Sequence, residues 1–257
     1  MKQFSAIRIV VYSCVSRIFA ALLLILFLCN SSFAQTDAVT LSSGKFKPDT
    51  KSNDCATCMC ICIQASIDFA NVHESVAGYP GGYSAPGYKT KVGFNFGAFV
   101  TKPILPIGPG QLAAIVGLEF IQKGGKYGSG NNSEDLRLNY IELPIDAIFQ
   151  YQVMDNGGTV FAGFGPYFAY GVGGKIKYGD GSPSEKAFGG QYGAKHFDFG
   201  LQFIGGFKLS CMASISLSYD LGLLNIANNS ANSTYSYHDK NRVFSINLAY
   251  CLGGLMH

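Results

Sequence analysis

Four cysteines within eight residues are the most unusual chemical feature of the sequence: Cys55, Cys58, Cys60 and Cys62. Thiolates bind zinc and other soft metals, and pairs of thiols form disulfides. The spacing is not that of a zinc ribbon, and no histidine accompanies it. A disulfide suits an exported protein, because the compartments outside the cytosol are oxidising. We therefore favour disulfides over a metal site, with unpaired thiols as the remaining alternative.

Acidic side chains form the second group that could do chemistry. Each occupies the polar side of a segment in which apolar and polar residues alternate. Paired carboxylates could act as an acid–base pair or line a polar pore. The simpler interpretation, which we favour, is that a small barrel fills its lumen with such side chains, since eight strands leave no open channel. These lumenal residues are Glu119, Glu142, Asp146, Asp198 and Asp220, with Lys91, Lys123, Arg137 and Lys208 as candidate partners.

Common catalytic and cofactor-binding motifs are missing. The four histidines do not accompany a Ser or Cys nucleophile in a recognisable pattern, and Gly-x-Ser-x-Gly is absent. No Walker or dinucleotide fingerprint occurs, and the glycine clusters follow the strand pattern instead. We therefore expect no catalytic residue, no cofactor and no metal, and we do not expect an enzyme.

Alternation of large apolar residues with small or polar ones recurs eight times from Met59 onward. The clearest case sets Ile215, Leu217 and Tyr219 against Ser216 and Ser218. A period of two indicates β-strands, and no segment of comparable length has the helical period. The segments are 59–69, 91–100, 112–121, 140–150, 159–171, 197–203, 213–221 and 243–252. Only the fifth, which is rich in glycine and aromatic residues, leaves its facing ambiguous.

Connections between these segments alternate between long and short. The long ones span 71–89, 124–135, 173–196 and 225–241, and shorter ones span 101–110, 154–158 and 210–212. Outer-membrane barrels have long extracellular loops and short periplasmic turns. We predict an all-β fold, an eight-stranded antiparallel up-and-down transmembrane barrel, with large apolar side chains facing lipid and small or polar ones inside.

The first residues are typical of an export signal. Lys2, Arg8 and Arg17 precede an apolar run at 18–28, and Ala34 ends a small-residue cleavage site. Cleavage would leave 16 basic and 16 acidic residues, so the charge gives no support for nucleic-acid binding. The expected organisation is a signal peptide at 1–34, a flexible periplasmic lead-in at 35–57, the barrel at 58–252 and a C-terminal tail at 253–257.

Several short segments occur in a distinctive order and spacing. They are LNYIELP at 138–144, FAGFGPY at 161–167, FDFG at 197–200, YDLGLLNI at 219–226 and NRVFSI at 241–246. Together they resemble the PorT-like outer-membrane β-barrel family of Bacteroidota. The resemblance implies an eight-stranded outer-membrane barrel. The named member of that family is associated with protein secretion.

Barrel closure suggests a partner for the cysteine cluster. The first strand begins, and the eighth ends, at the periplasmic side, and closure pairs them antiparallel. Cys58, Cys60 and Cys62 then share the inward face near the rim with Cys251. We predict a disulfide from Cys251 to Cys60 or Cys62, whereas Cys211 lies too far around the rim to compete.

The expected role is that of an outer-membrane protein with a structural, interaction or secretion-associated function. The Tyr- and Gly-rich loop at 71–89 has a composition suited to adaptable protein contacts. The alternatives are a carrier of a small apolar ligand and a narrow-pore transport barrel. An outer-membrane enzyme ranks behind both, because the sequence contains no motif for one. Expected partners are outer-membrane lipid and a protein at the extracellular loops, not nucleic acid, and we expect a monomeric barrel.

Overall fold

The computed structural model describes residues 59–77, 87–154, 158–189, 193–209, 213–228 and 236–254. The predicted signal peptide at 1–34, the predicted lead-in at 35–57 and residues 255–257 of the predicted tail lie outside them. These ranges contain nine strands in this order: β1 (Cys60–Ala77), β2 (Lys91–Ile107), β3 (Gly110–Tyr127), β4 (Glu134–Gln152), β5 (Thr159–Tyr178), β6 (Glu185–Lys186), β7 (Phe197–Lys208), β8 (Ala213–Gly222) and β9 (Ser236–Gly254). Within the described residues, no helix is long and apolar enough to cross a membrane.

Eight of the strands close into a ring in which neighbours are antiparallel. β1 pairs with both β2 and β9, and β4 pairs with β5, so that β1–β5 and β7–β9 have partners on both sides. The two-residue strand β6 only adds to the outer part of β5. The predicted eight-stranded antiparallel barrel is confirmed.

Side-chain alternation sorts the two faces of this barrel as the sequence predicts. On β8, Leu217 is 50% exposed on the outer wall, whereas Ser216 is 6% exposed and faces the lumen. The pattern recurs around the ring and produces an outward apolar belt. Its members include Ile63, Ile67, Phe94, Phe96, Leu118, Ile141, Phe164, Phe168, Phe203, Ile215, Leu217, Phe244, Ile246 and Leu248. An apolar outer wall of this kind matches a hydrocarbon surrounding.

The segment whose facing was ambiguous is resolved in β5. Tyr167 and Ala169 are buried in the lumen, and Phe168 and Tyr170 face outward. Toward the extracellular end of β5, the pairing with β4 shifts by one residue. Tyr140 lies opposite residue 171, whereas the adjacent Asn139 lies opposite residue 173. Such a bulge changes which positions face inward, so no single alternation extends through the strand.

Strands are longer, and connections shorter, than predicted. β2 and β3 meet at a two-residue turn after Ile107, so the predicted connection at 101–110 is wrong. Pro103 lies inside β2, where the register shifts before Leu105 and accommodates the missing N–H donor. Gly108 in the turn has φ 58°, a conformation that glycine adopts without a steric penalty. The longest described connection, between β5 and β7, marks the extracellular end.

Candidate functional site

The barrel lumen is the candidate site, and its centre is an ion cluster made of Lys123, Glu142, Asp198 and Asp220. Lys123 Nζ lies 2.6 Å from Glu142 Oε2, 3.6 Å from Asp198 Oδ2 and 4.0 Å from Asp220 Oδ2. These residues belong to β3, β4, β7 and β8, respectively. One ammonium group therefore connects four strands across the barrel interior.

Aromatic and amide groups surround the ion cluster. Lys123 Nζ lies 4.0 Å from the ring centroid of Tyr167, a cation–π distance. Tyr167 is accommodated because Gly200 stands opposite it on β7, and a Cβ at that position would lie 2.6 Å from the ring. Asn241 donates a 2.9 Å hydrogen bond to Asp198 Oδ2, and Gln202 donates one of the same length to Asp220 Oδ1.

The other two predicted lumenal carboxyl groups lie on the periplasmic side of the ion cluster. Glu119 and Asp146 are 7% and 2% exposed, and both line a cavity of mixed polar and apolar lining. Gln64 donates a 3.3 Å hydrogen bond to Glu119 Oε2. All five predicted carboxyl groups are thus buried in the barrel, but only three of them lie within 4.0 Å of Lys123 Nζ. Among the described residues, no group of His, Cys, Asp and Glu has the arrangement of a metal site.

Four basic residues were candidate partners for these carboxyl groups, and their positions differ. Lys123 is the central cation. Lys91 instead pairs with Asp135 toward the extracellular end. Arg137 was wrongly placed in the lumen, because it is exposed at an outward-facing position of β4 between the buried residues Leu136 and Leu138. Lys208 lines a cavity at the periplasmic end.

Apolar side chains fill the lumen on the extracellular side of the ion cluster. Two of them, Phe188 and Ile226, come from connections rather than from barrel strands, and together with Ala187 they form the loop plug. The Phe188 ring packs edge-on against Tyr140, with centroids 5.4 Å apart. Its other neighbour is the His196 ring, at 4.9 Å. The loop plug therefore rests directly on the aromatic residues that surround Lys123.

The periplasmic end of the lumen contains both apolar and polar side chains, the latter including Thr101, Gln150 and Ser216. Ala113, Ile115, Ile148 and Phe161 form a buried cluster there. Within the described residues, the charged middle of the lumen therefore has an apolar cluster on each side. This layering favours a mechanical role for the buried charges, which hold strands together, over a continuous polar path.

Carboxyl groups also gather beyond the apolar belt, at the extracellular mouth. Asp239 stands opposite Glu74 across the β9–β1 ladder, and the exposed apolar run of β9 begins only at Phe244. Burial, followed by the negative charges of Glu74 and Glu134, raises the pKa of Asp239 to about 7. Burial and the charge of Glu134 likewise raise the pKa of Glu74. These groups destabilise the mouth when they are ionised.

The cysteines meet at the seam between the first and last barrel strands. Cys62 lies opposite Cys251 in the β1–β9 ladder, and the structure joins them by a disulfide. Cys60 is buried at the same rim and takes no part in this bond. Cys55, Cys58 and Cys211 lie outside the described residues. Of the two pairings predicted for Cys251, the structure therefore contains the one with Cys62.

Sequence reasoning missed the loop plug and one buried carboxyl group. Asp68 is fully buried in the lumen and accepts hydrogen bonds from Ser66 and Asn95. It lies on the polar side of the first alternating segment, so the signal that found the other carboxyl groups applied to it as well. Phe188 and Ile226 are isolated apolar residues in long connections, where no periodicity indicates burial.

Comparison with known proteins identifies the fold family. Residues 65–228 match the family described as "Outer membrane protein beta-barrel domain". No curated protein matches the chain. Solved structures that resemble it include Ail, the attachment invasion locus protein of Yersinia pestis. The two sequences are 13% identical, the match covers 76% of this chain and 99% of that chain, and the TM-score is 0.38.

Two further barrels have a similar degree of likeness. OprG of Pseudomonas aeruginosa has 10% identity, covers 77% of this chain and 97% of its own, and has a TM-score of 0.40. Neisserial surface protein A has 13% identity, with 74% and 96% covered and a TM-score of 0.41. At these values the likenesses carry no argument about function, and the assignment rests on the family match. The chain belongs to the outer membrane protein beta-barrel domain family and is a protein of the bacterial outer membrane.

Proposed function

We propose that this protein is a closed, non-enzymatic barrel with a structural or interaction role at the cell surface. The observation that carries the proposal is the filled lumen. The ion cluster around Lys123 lies directly below the loop plug formed by Phe188 and Ile226. A barrel built for transport needs a path through its interior, whereas one that presents a binding surface needs rigid walls and ordered loops.

The extracellular end supports an interaction role. The turn after β3 and the connection after β5 are in contact, because Gly179 N donates a 2.8 Å hydrogen bond to Ser133 O. Two further contacts fix the connection after β5. Phe188 packs inside the barrel, and His196 Nδ1 lies 2.7 Å from Gly171 O. Ordered loops lose little conformational entropy on binding, which favours contact with a partner.

The proposal includes the organisation and kinship predicted from the sequence. A signal peptide at 1–34 would direct export, and the lead-in at 35–57 would remain in the periplasm. The resemblance to PorT-like barrels of Bacteroidota makes a secretion-associated partner the first to consider. A monomeric barrel in outer-membrane lipid, without nucleic acid or cofactor, completes the proposal.

Site-specific photo-crosslinking in intact cells tests this proposal. A photoreactive residue at Asn131 or at Ser184, both exposed at the extracellular end, should capture the same protein partner. The matched control is Met154, which is 56% exposed at the periplasmic end and should not capture it. Capture of that protein from Met154 alone, or no shared product from the two extracellular positions, would contradict an extracellular interaction surface.

A carrier of a small apolar ligand is the second candidate. It is favoured by a cavity of about 30 Å³ at the periplasmic end, where Phe99, Ile115, Phe161 and Ile204 meet the disulfide. The side chains at this end would have to move apart to admit a ligand. A fluorescent fatty acid should then bind purified wild-type protein, and Ile115→Trp should abolish that binding by occupying the cavity. The interaction proposal instead predicts no saturable binding by either protein.

A further inference from the structure

A groove on the outer wall, outside the lumen, has the composition of an anion site at the edge of the membrane. It lies over β1, β8 and β9, and Phe69, Tyr219 and Phe244 supply its apolar part. Its polar part is formed by Arg242, with Asn71, His73 and Thr90 around it. The groove therefore combines an apolar floor with one permanently charged group.

Arg242 marks the boundary of the apolar belt on this side of the barrel. It is half-buried at an outward-facing position, between the inward-facing residues Asn241 and Val243. Phe244, Ile246 and Leu248 continue the same face toward the periplasm and are all exposed to lipid. In the extracellular direction the face continues with Lys240, which stands opposite His73 in the β1–β9 ladder. Apolar and basic side chains thus meet at Arg242.

The guanidinium group of Arg242 has no anionic neighbour among the described residues of the groove. Its Nε atom is buried and has no hydrogen-bond partner among the described residues. None of the described residues lining the groove is acidic, because alternation turns the nearby Asp68, Asp220 and Asp239 toward the interior. A buried N–H donor with no acceptor costs free energy, and an anion bound to the guanidinium group would remove that cost.

Position and chemistry together identify the anion. The groove lies at the extracellular edge of the belt, where the headgroups of the outer leaflet meet the acyl chains. A phosphate offers the geometry that an arginine fork binds with two parallel hydrogen bonds. Acyl chains attached to that phosphate would pack on Phe69 and Phe244. We propose that this groove binds the phosphate of an outer-leaflet glycolipid, with Arg242 as the principal ligand and Lys240 and His73 as flanking groups.

Native mass spectrometry of the full mature protein in detergent tests this site. The probe is bisphosphorylated lipid A, compared with the same acylated disaccharide without phosphates. Wild-type protein should retain the phosphorylated probe and not the other. Arg242→Gln should weaken retention roughly tenfold, since a hydrogen bond to a charged group contributes about that factor or more. Lys177→Gln is the matched control, because Lys177 is an exposed base at the extracellular end of β5.

Equal retention by wild type and Arg242→Gln, or equal retention of the two probes by wild type, would overturn the proposal. A second measurement does not depend on the folding of that variant. A photoreactive residue at His73 of the otherwise unaltered protein should crosslink to the phosphorylated probe, and one at Lys177 should not. Crosslinking of equal yield from both positions would show general lipid contact and reject a specific site.

Discussion

Lys123 Nζ lies 2.6 Å from Glu142 Oε2, and neither side chain has exposed surface. The two residues belong to neighbouring strands, and the same ammonium group reaches Asp198 and Asp220 on the other side of the lumen. A buried ion group of this kind contributes little net stability over an apolar replacement, but removal of one member leaves the others uncompensated. The cluster therefore couples the stability of β3, β4, β7 and β8 to the same buried cation.

Replacement of Lys123 by Met is expected to destabilise the barrel strongly. The substitution keeps much of the side-chain volume but leaves three buried carboxyl groups without their cation. The expected loss is about 3–5 kcal/mol in the free energy of unfolding. Urea-induced unfolding in detergent, followed by the heat-modifiable mobility of the barrel, measures this loss.

The control for this prediction is the double variant Lys123→Met, Glu142→Leu. Removing a carboxyl group together with its cation should recover part of the lost stability, because fewer charges are left unpaired. Lys177→Met, at an exposed position, should change nothing measurable. A Lys123→Met barrel as stable as wild type would show that the cluster does not hold the wall together.

Alternation was sufficient to predict the fold and the faces of most strands. Ser216 and Leu217 face as predicted because a strand with one lipid face and one lumenal face needs a strict period of two. The fifth segment escaped prediction for a physical reason. Tyr167 faces the lumen and Phe168 faces lipid, so both faces carry large rings, and glycines and a bulge interrupt the pattern.

The site was less predictable than the fold. The sequence offered four basic residues for five carboxyl groups, and nothing in the pattern distinguishes Lys123 from Arg137. Only the three-dimensional register places Lys123 opposite β7 and β8, while Arg137 faces outward. The loop plug depends on how two connections fold back into the lumen, which is a tertiary property of Phe188 and Ile226.

Leu217 and Ser216 are neighbours on β8 that face opposite sides of the barrel wall, the first toward lipid and the second toward the lumen. Leu217→Arg is expected to impair insertion, at roughly 2–4 kcal/mol if the position lies near the midplane of the bilayer. Ser216→Arg should be milder, because Ser216 faces the lumen beside a cavity at the periplasmic end and does not face the lipid. Folding into lipid vesicles, measured by gel mobility, compares the two. Equal tolerance would contradict the assignment of faces.

The seam disulfide is expected in protein taken from outer membranes. Non-reducing peptide mapping should recover Cys251 joined to Cys62. Cys62→Ser should remove that product, whereas Cys60→Ser should leave it intact. Because the bond spans 189 residues, chain-entropy estimates give a stabilisation of roughly 4–5 kcal/mol. Recovery of Cys251 as an unmodified thiol, or joined to Cys211, would refute the pairing.

The extracellular mouth should lose stability as the pH rises from about 4 to about 7. Folding raises the pKa of Asp239 from 3.8 to about 7, so its native-state contribution is fully present below the ordinary pKa and disappears as the carboxyl group ionises. The free energy of unfolding should therefore fall between about pH 4 and about pH 7 and level off above that, with Asp239→Asn reducing that fall. An equal fall in wild type and in Asp239→Asn would exclude Asp239 as its origin.

The closed lumen is the central claim, and single-channel recording in planar bilayers tests it most directly. With the ion cluster and the loop plug in place, insertion of the folded protein should give no steady conductance above the bilayer baseline. An open porin, recorded in the same bilayers, shows that insertion events can be detected. Stable channel openings by the wild-type barrel, even far smaller than those of the open porin, would contradict a filled interior and favour the narrow-pore alternative.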